Sequence, residues 1–149
     1  MHPEHPVLHI HGAAVVAATA AGFFFGWLWY GPLFGKTWAK LAGVGDPKPT
    51  TKQLARGMAL SALGAFLTAY VLAHSVEVWR PTSWNAAWAD QPAWTYGFFG
   101  GFCTWLGFYV PPLLASVAWE GKSWKLYFLN AAYAFLSLQI VGAILAHWR

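Results

Sequence analysis

Formal charge is scarce in this sequence and absent from most of it. Asp, Glu, Lys and Arg make up 9% of the 149 residues, against about 25% in an average soluble domain. Residues 5–35, 57–76, 91–119 and 126–148 contain none of the four. Hydrophobic residues account for 58% of the chain and aromatic residues for 19%, which is more than a soluble fold hides from water. The composition excludes an ordinary soluble domain and indicates a membrane protein.

Cysteine is almost as scarce, because Cys103 is the one cysteine of the chain. No disulfide can form within a monomer, and no histidine lies in the same uncharged stretch to activate the thiol. Glu77 and Glu120 are predicted on opposite sides of the membrane, so they cannot form an acid/base pair. We therefore expect a protein that is not an enzyme.

Each uncharged stretch is long enough for a helix across the hydrocarbon core, which takes about 20 residues. We predict an all-α integral membrane bundle of four transmembrane helices, at about residues 8–30, 57–76, 93–118 and 126–147, in a single domain covering 1–149. The first span is not read as a signal peptide, because no basic segment precedes it.

A short surface helix is predicted between spans two and three. Trp84 and Trp88 share a helical face after a cap at Thr82 or Ser83. We place this helix at about residues 83–90, on the outer membrane surface.

The basic residues are distributed unevenly between the two sides of the membrane. Seven of the nine lie in the loops after spans one and three, and Arg80 and Arg149 are the other two. The positive-inside rule then predicts that both of these loops are cytoplasmic and both termini are outside. Because this pattern explains the net charge of +4, we expect no nucleic-acid partner.

A Gly-Lys-hydroxyl-Trp motif occurs twice, at residues 35–38 and 121–124. A phosphate-binding loop would need a further glycine where Tyr30 and Ser116 stand, so we expect no nucleotide. The motif instead indicates the membrane boundary, and its recurrence suggests two parallel helical hairpins. The predicted interface anchors are Trp29, Lys36, Trp38, Lys122 and Trp124.

Small residues recur at every fourth position in spans one and two, which lets helices pack closely in a membrane. The stripes predict that the first hairpin packs against itself or against another subunit. In span three, Pro111 and Pro112 predict a kink or a break. The small residues are Ala14, Ala18, Gly22 and Gly26 in span one, and Gly57, Ser61, Ala65, Ala69 and Ala73 in span two.

Two polar features are candidate ligand sites. Asn130, Tyr133 and Ser137 share one face of span four, which indicates either a small-solute site between spans three and four or hydrogen bonds between helices. Four histidines are predicted on the outer side, where imidazoles can bind zinc, copper, haem or a pigment. They lack the spacing of a known metal motif, and no cofactor is required by the sequence. These are His9, His11, His74 and His147.

Several segments resemble the bacterial membrane family known as domain of unknown function 1761. The segments are WYGPLFGK from Trp29 with Trp38, WLGFYVPPLL from Trp105, WEGKSWKLYFLNAAYAF from Trp119, and residues 142–145 with Trp148. The resemblance implies a short four-helix bundle in a bacterial cytoplasmic (inner) membrane, with no assigned activity and no agreed functional residues. The histidine-rich start of the chain is not part of the pattern.

We expect a non-catalytic protein that acts by helix association, as a homo-oligomer or as an accessory subunit of a larger membrane complex. The absence of Asp, Glu, Lys and Arg from the spans argues against coupled transport. The alternatives are a small-solute channel or transporter, and metal, haem or pigment binding by the outer histidines. The expected partners are membrane lipids, further copies of the chain and other membrane subunits.

Overall fold

The computed structural model describes residues 5–44, 48–86 and 89–148, and every regular element within them is helical. A π-helical turn, Trp29–Leu33, follows α1, and a second one, Trp105–Tyr109, joins α4 to α5. The helices are α1 Gly12–Leu28, α2 Gly35–Ala42, α3 Thr51–Val78, α4 Ala93–Thr104, α5 Val110–Glu120 and α6 Trp124–His147.

Four of these segments are long and apolar enough to cross a membrane. They are Gly12–Leu33, Thr51–Val78, Ala93–Glu120 and Trp124–His147. The predicted all-α architecture with four spans is confirmed. We call the end where α1 begins and α6 ends the termini side, and the end that holds α2 and the α5–α6 connection the lysine side.

Helix α6 is the centre of the bundle, because it packs against α1, α3 and α4. The contacts use small side chains, and Ala18 of α1, Ala69 of α3 and Ala146 of α6 are fully buried. Leu138 and Val141 of α6 fill the space between the helices, with 1% and 2% exposure. Close packing of this kind stabilises helix pairs in lipid, where apolar side chains gain little from leaving the solvent.

Helices α4 and α6 approach so closely that their backbones touch. A Cβ built on Gly97 would lie 2.6 Å from the carbonyl oxygen of Gly142, and a Cβ on Gly142 would lie 2.6 Å from that of Gly97. One turn further, a Cβ on Gly101 would lie 3.0 Å from the carbonyl oxygen of Leu138. Glycine is therefore required at this crossing, since any other residue would push the helices apart.

Proline explains both π-helical turns. Pro32 lies inside the first, and Pro111 and Pro112 lie in the first turn of the helix that follows the second. Proline has no backbone N–H and clashes with the preceding turn, so the helix must widen or open nearby. In the third span the predicted disruption takes the form of a π-helical turn, after which the helix continues to Glu120.

The two Gly-Lys-hydroxyl-Trp motifs have different conformations. Gly121 ends α5 with a positive φ of 68°, and the hydroxyl of Ser123 caps α6 by accepting from Leu126 N. Gly35 instead begins α2, an amphipathic helix that the sequence analysis did not predict. The shared motif does not indicate a structural repeat by itself, and the parallel-hairpin arrangement stays a prediction.

The predicted surface helix at about 83–90 needs correction. The structure has a short 3-10 turn, Pro81–Trp84, and Asn85 ends it with a positive φ of 57°. The asparagine side chain tolerates this left-handed conformation better than most residues do. Trp88, on which the prediction also relied, lies outside the described residues.

Helix α3 is covered by the rest of the bundle along only part of its length. Its buried residues are Ala69, Leu72, Ala73 and Val76, all in the half nearer the termini side. Every residue from 51 to 61 is exposed. The lysine-side half of α3 therefore lies away from the core of the chain.

Candidate functional site

A buried arginine follows the end of α3 on the termini side. The Pro81–Trp84 turn folds back on the helix, because Ser83 Oγ donates to Glu77 O at 2.8 Å and Trp84 Nε1 donates to Val78 O at 2.9 Å. This turn directs Arg80 into the bundle, where it is 3% exposed. The helix end thus places a cation inside the protein at the level where the span ends.

Each part of the Arg80 guanidinium has different surroundings. Nη2 donates to the carbonyl oxygen of Ala146 in α6. Nε lies 2.9 Å from Glu77 Oε2, although its N–H is not aligned for a hydrogen bond. The central carbon lies 5.1 Å from the ring centroid of Tyr96. Nη1 has no hydrogen-bond partner among the described residues.

The N-terminal segment lies across this region. Val7 N donates to Ser83 O at 3.0 Å, which fixes the segment against the 3-10 turn. Ile10 packs against the hydrophobic core, so the chain is held on both sides of His9. The segment leads into α1 through His11, which is the N-cap residue.

A groove with a volume of about 250 Å³ opens beside Arg80. We call it the Arg80 groove, and both polar and apolar atoms form its surface. The residues that line the groove are His9, His11, Glu77, Arg80, Thr82 and Trp148. A smaller recess of about 20 Å³ adjoins it, lined by the same two histidines, Glu77 and Trp148 together with Ile10, Ala14, Ala73 and Leu145.

The four histidines predicted as ligands are not brought together. His9 and His11 line the Arg80 groove, whereas His74 Nδ1 lies 2.7 Å from Tyr70 O and His147 Nδ1 lies 2.9 Å from Ala143 O. These two imidazoles are engaged with their own helices. Across the described ranges, no three His, Cys, Asp or Glu side chains form a group that could hold a metal ion. Binding of a haem or pigment through one histidine stays a hypothesis.

The polar face of span four contacts α1. Tyr30 of the first span donates to Asn130 Oδ1 at 3.0 Å, and the ring of Phe25 stacks on that of Tyr133 at 5.8 Å. The hydroxyl of Ser137 lies 4.0 Å from a Cβ built on Gly22. These side chains help to pack α6 on α1, and the small-solute site between spans three and four stays a prediction.

The small residues of span one lie inside the chain. Ala14, Ala18 and Gly22 are buried. A Cβ on Gly22 would lie 3.2 Å from Val141 Cγ2, and a Cβ on Gly26 would lie 2.8 Å from the hydroxyl of Tyr133. The small residues of span one are therefore used for packing between helices within the chain.

The small residues of span two divide into two groups. Ala69 and Ala73 are buried and Ala65 is half-buried. Gly57 and Ser61 are exposed, and no atom lies within 4 Å of a Cβ built on Gly57. Among the described residues, none packs against this lysine-side part of the stripe.

The predicted interface anchors also differ among themselves. Lys36 and Lys122 are exposed, and Trp124 is 57% exposed. Trp38 is half-buried with its ring against Tyr30 at 5.6 Å. The Trp29 side chain does not face outward, because it is buried within an aromatic cluster, with ring centroids 4.5 Å from Phe34 and 6.2 Å from Tyr133.

Arg80 is the functional candidate that the sequence analysis missed. The sequence marks Arg80 only as one of two basic residues predicted on the outer side. A signal was present, because Glu77 and Arg80 are three residues apart at the end of a span and such pairs meet on one helix face. The burial of the pair depends on the turn that follows, which the sequence does not reveal.

Residues 13–146 match a family model whose description reads "Protein of unknown function (DUF1761)". This chain belongs to the DUF1761 family. Neither a curated protein nor a solved structure matches it. In this DUF1761 protein the matched region includes Glu77, Arg80 and Thr82, whereas His9, His11 and Trp148 lie outside it. Three of the six residues that line the Arg80 groove thus lie within the part that the DUF1761 model matches.

Proposed function

We propose that this protein acts without catalysis, by helix association in the membrane, and that a second copy of the chain packs on the lysine-side half of α3. The observation that carries the proposal is the exposure of every residue from 51 to 61 in a helix that is otherwise part of the bundle. A helix face that the chain leaves uncovered must meet either lipid or another helix.

The residues on this surface favour another helix. No atom lies within 4 Å of a Cβ built on Gly57 or Gly64, and Ser61 lies between them on the sequence. Small residues let two backbones approach closely, whereas they contribute little contact with lipid chains. Ser61 has no side-chain hydrogen bond within the described ranges, in contrast to Ser75, whose hydroxyl donates to Val71 O at 3.1 Å. A neighbouring helix supplies both packing contacts for the small residues and a hydrogen-bond acceptor for the Ser61 hydroxyl.

Charge and exposure favour a second copy as the partner. Helix α5 has no buried residue and ends on the same side with the exposed Glu120. The uncovered half of α3 carries the exposed Lys52 and Arg56. When α3 of one copy lies beside α5 of the next, these opposite charges meet at the membrane boundary, which sets the register of the pair.

Native mass spectrometry of the untagged protein tests the proposal. Wild type is expected as a homo-oligomer, and Gly57→Leu with Ser61→Leu as a monomer, because two leucines prevent the close approach. Ala20→Leu is the matched control, since Ala20 is an exposed small residue of another span, and it should leave assembly unchanged. A monomeric wild type, or an oligomer that survives both leucines, contradicts the proposal. Recovery only with other polypeptides supports the accessory-subunit alternative instead.

We further propose that the lysine side faces the cytoplasm of a bacterium. The positive-inside rule supports this orientation, and the family resemblance supports the organism and the inner membrane. The test is labelling of intact cells with a membrane-impermeant maleimide. A cysteine placed at His5 should react and one placed at Lys40 should not; the reverse pattern would show the opposite orientation.

A further inference from the structure

The Arg80 groove contains a cation whose hydrogen-bonding capacity is incompletely used. Arg80 is 3% exposed and lines the groove, yet Nη1 has no partner among the described residues. A buried donor without an acceptor is costly, and more so when it is charged. We propose that the Arg80 groove binds the phosphate group of a membrane lipid on the termini side, with an anionic oxygen accepting from Nη1.

The other side chains of the groove suit a phosphate. The groove is also lined by Thr82, His9, His11 and Trp148. A hydroxyl, an imidazole and an indole can each donate a hydrogen bond. An arginine donor and a phosphate oxygen form one of the strong charge-assisted hydrogen bonds of proteins. The groove therefore offers several donors around one fixed cation.

Glu77 selects for the number of charges on the ligand. Its carboxylate lies 2.9 Å from Arg80 Nε and lines the same groove, so it offsets part of the arginine charge and repels a second negative charge. A large fraction of inorganic phosphate carries two negative charges at neutral pH, because its second ionisation takes place near neutrality. A phosphodiester carries one, which favours a lipid headgroup.

The position of the groove also favours a lipid. The groove lies where α3 and α6 end, at Val78 and His147. The adjoining recess of about 20 Å³ shares four lining residues with the groove, and its other lining residues are Ile10, Ala14, Ala73 and Leu145. Lipid headgroups lie at the level where membrane spans end, and the groove volume of about 250 Å³ exceeds that of a water molecule, about 30 Å³, several-fold.

The test uses the full chain, delipidated in detergent, and native mass spectrometry with three probes. Dioctanoyl phosphatidylglycerol has the phosphodiester, dioctanoylglycerol has the same chains without it, and inorganic phosphate has no chains. We expect one bound phosphatidylglycerol, no retained dioctanoylglycerol and no competition by phosphate. Equal binding of dioctanoylglycerol would show that phosphate is not recognised. Effective competition by inorganic phosphate would show that the groove takes a free anion, and either result overturns the proposal.

Two variants locate the bound lipid. Arg80→Lys keeps the charge but removes the planar donor group, and phosphatidylglycerol binding should weaken about tenfold or more. Because Arg80 also holds Ala146 O, that variant tests the site only if it folds.

Thr82→Val with His11→Ala changes exposed residues of the groove and should weaken binding as well. Undiminished binding in the double variant overturns the proposal. His74→Ala is the control, since His74 bonds to Tyr70 O outside the groove. This variant should bind phosphatidylglycerol as wild type does.

Discussion

Gly97 and Gly142 face each other across the α4–α6 crossing. A Cβ built on either glycine would lie 2.6 Å from the carbonyl oxygen of the other. This contact joins the two backbones at the centre of the bundle, because α6 also packs against α1 and α3. The position of the third span thus depends on two residues that have no side chain.

Gly97→Ala is expected to lower the free energy of unfolding by about 1–3 kcal/mol, the usual cost of overpacking. The added methyl group meets a backbone oxygen, which cannot rotate away as a flexible side chain can. Thermal unfolding in detergent measures the effect. Gly107→Ala in the same span is the control, since no atom lies within 4 Å of its built Cβ. Equal stability of the two variants would show that the helices do not cross at Gly97.

Trp105→Phe is expected to destabilise the contact between span three and α6. Trp105 Nε1 donates to Ala131 O at 2.9 Å, and interhelical hydrogen bonds in membranes contribute about 0.6 kcal/mol on average. Trp119→Phe is the control, because Trp119 is 88% exposed and should change stability little. The two unfolding curves are compared directly, and a larger loss for Trp119→Phe would contradict the assignment.

Tyr30→Phe and Asn130→Leu are expected to be coupled. Their side chains share one hydrogen bond of 3.0 Å between α1 and α6, so the double variant should lose less stability than the sum of the single variants, by about 0.6 kcal/mol. A double-mutant cycle of unfolding free energies measures the coupling. Additive losses would mean that the bond contributes nothing.

Glu77→Gln is expected to lower the free energy of unfolding by about 3 kcal/mol, because it removes the carboxylate that lies 2.9 Å from Nε of the buried Arg80. The double variant Glu77→Gln with Arg80→Met removes both charges and should be more stable than Glu77→Gln alone. Chemical denaturation in mixed micelles compares the two variants. A double variant that is less stable than the single one would show that Arg80 is held by its other contacts.

The bilayer made the spans predictable from the sequence. A charged side chain inside a membrane is costly, so the uncharged stretches marked where the four helices lie. The start of α3 was placed at 57 instead of Thr51, because Lys52 and Arg56 resembled a loop. A helix-start signal was nevertheless present, since Thr50 and Gln53 form a capping box that begins the helix.

Partners of side chains were harder to predict than spans. The polar face with Asn130 was visible in the sequence, but the helix that it meets depends on how the spans are arranged around α6. Gly97 was noted as a small residue, whereas its partner Gly142 lies 45 positions further along the chain and nothing local connects the two. The burial of Arg80 depends on the Pro81–Trp84 turn, whereas the sequence predicts a surface helix at about 83–90.

Site-directed cross-linking tests the association of copies through α3 most directly. Gly57 lies six residues from the start of α3 and Leu114 six residues from the end of α5, so both are about 9 Å from the lysine side. In a Cys103→Ser background, a Gly57→Cys chain and a Leu114→Cys chain are co-expressed and oxidised in membranes. A mixed disulfide dimer is predicted, and the control pair Ala20→Cys with Leu114→Cys should give none. Absence of the mixed dimer, or equal yield from the control pair, would contradict the account.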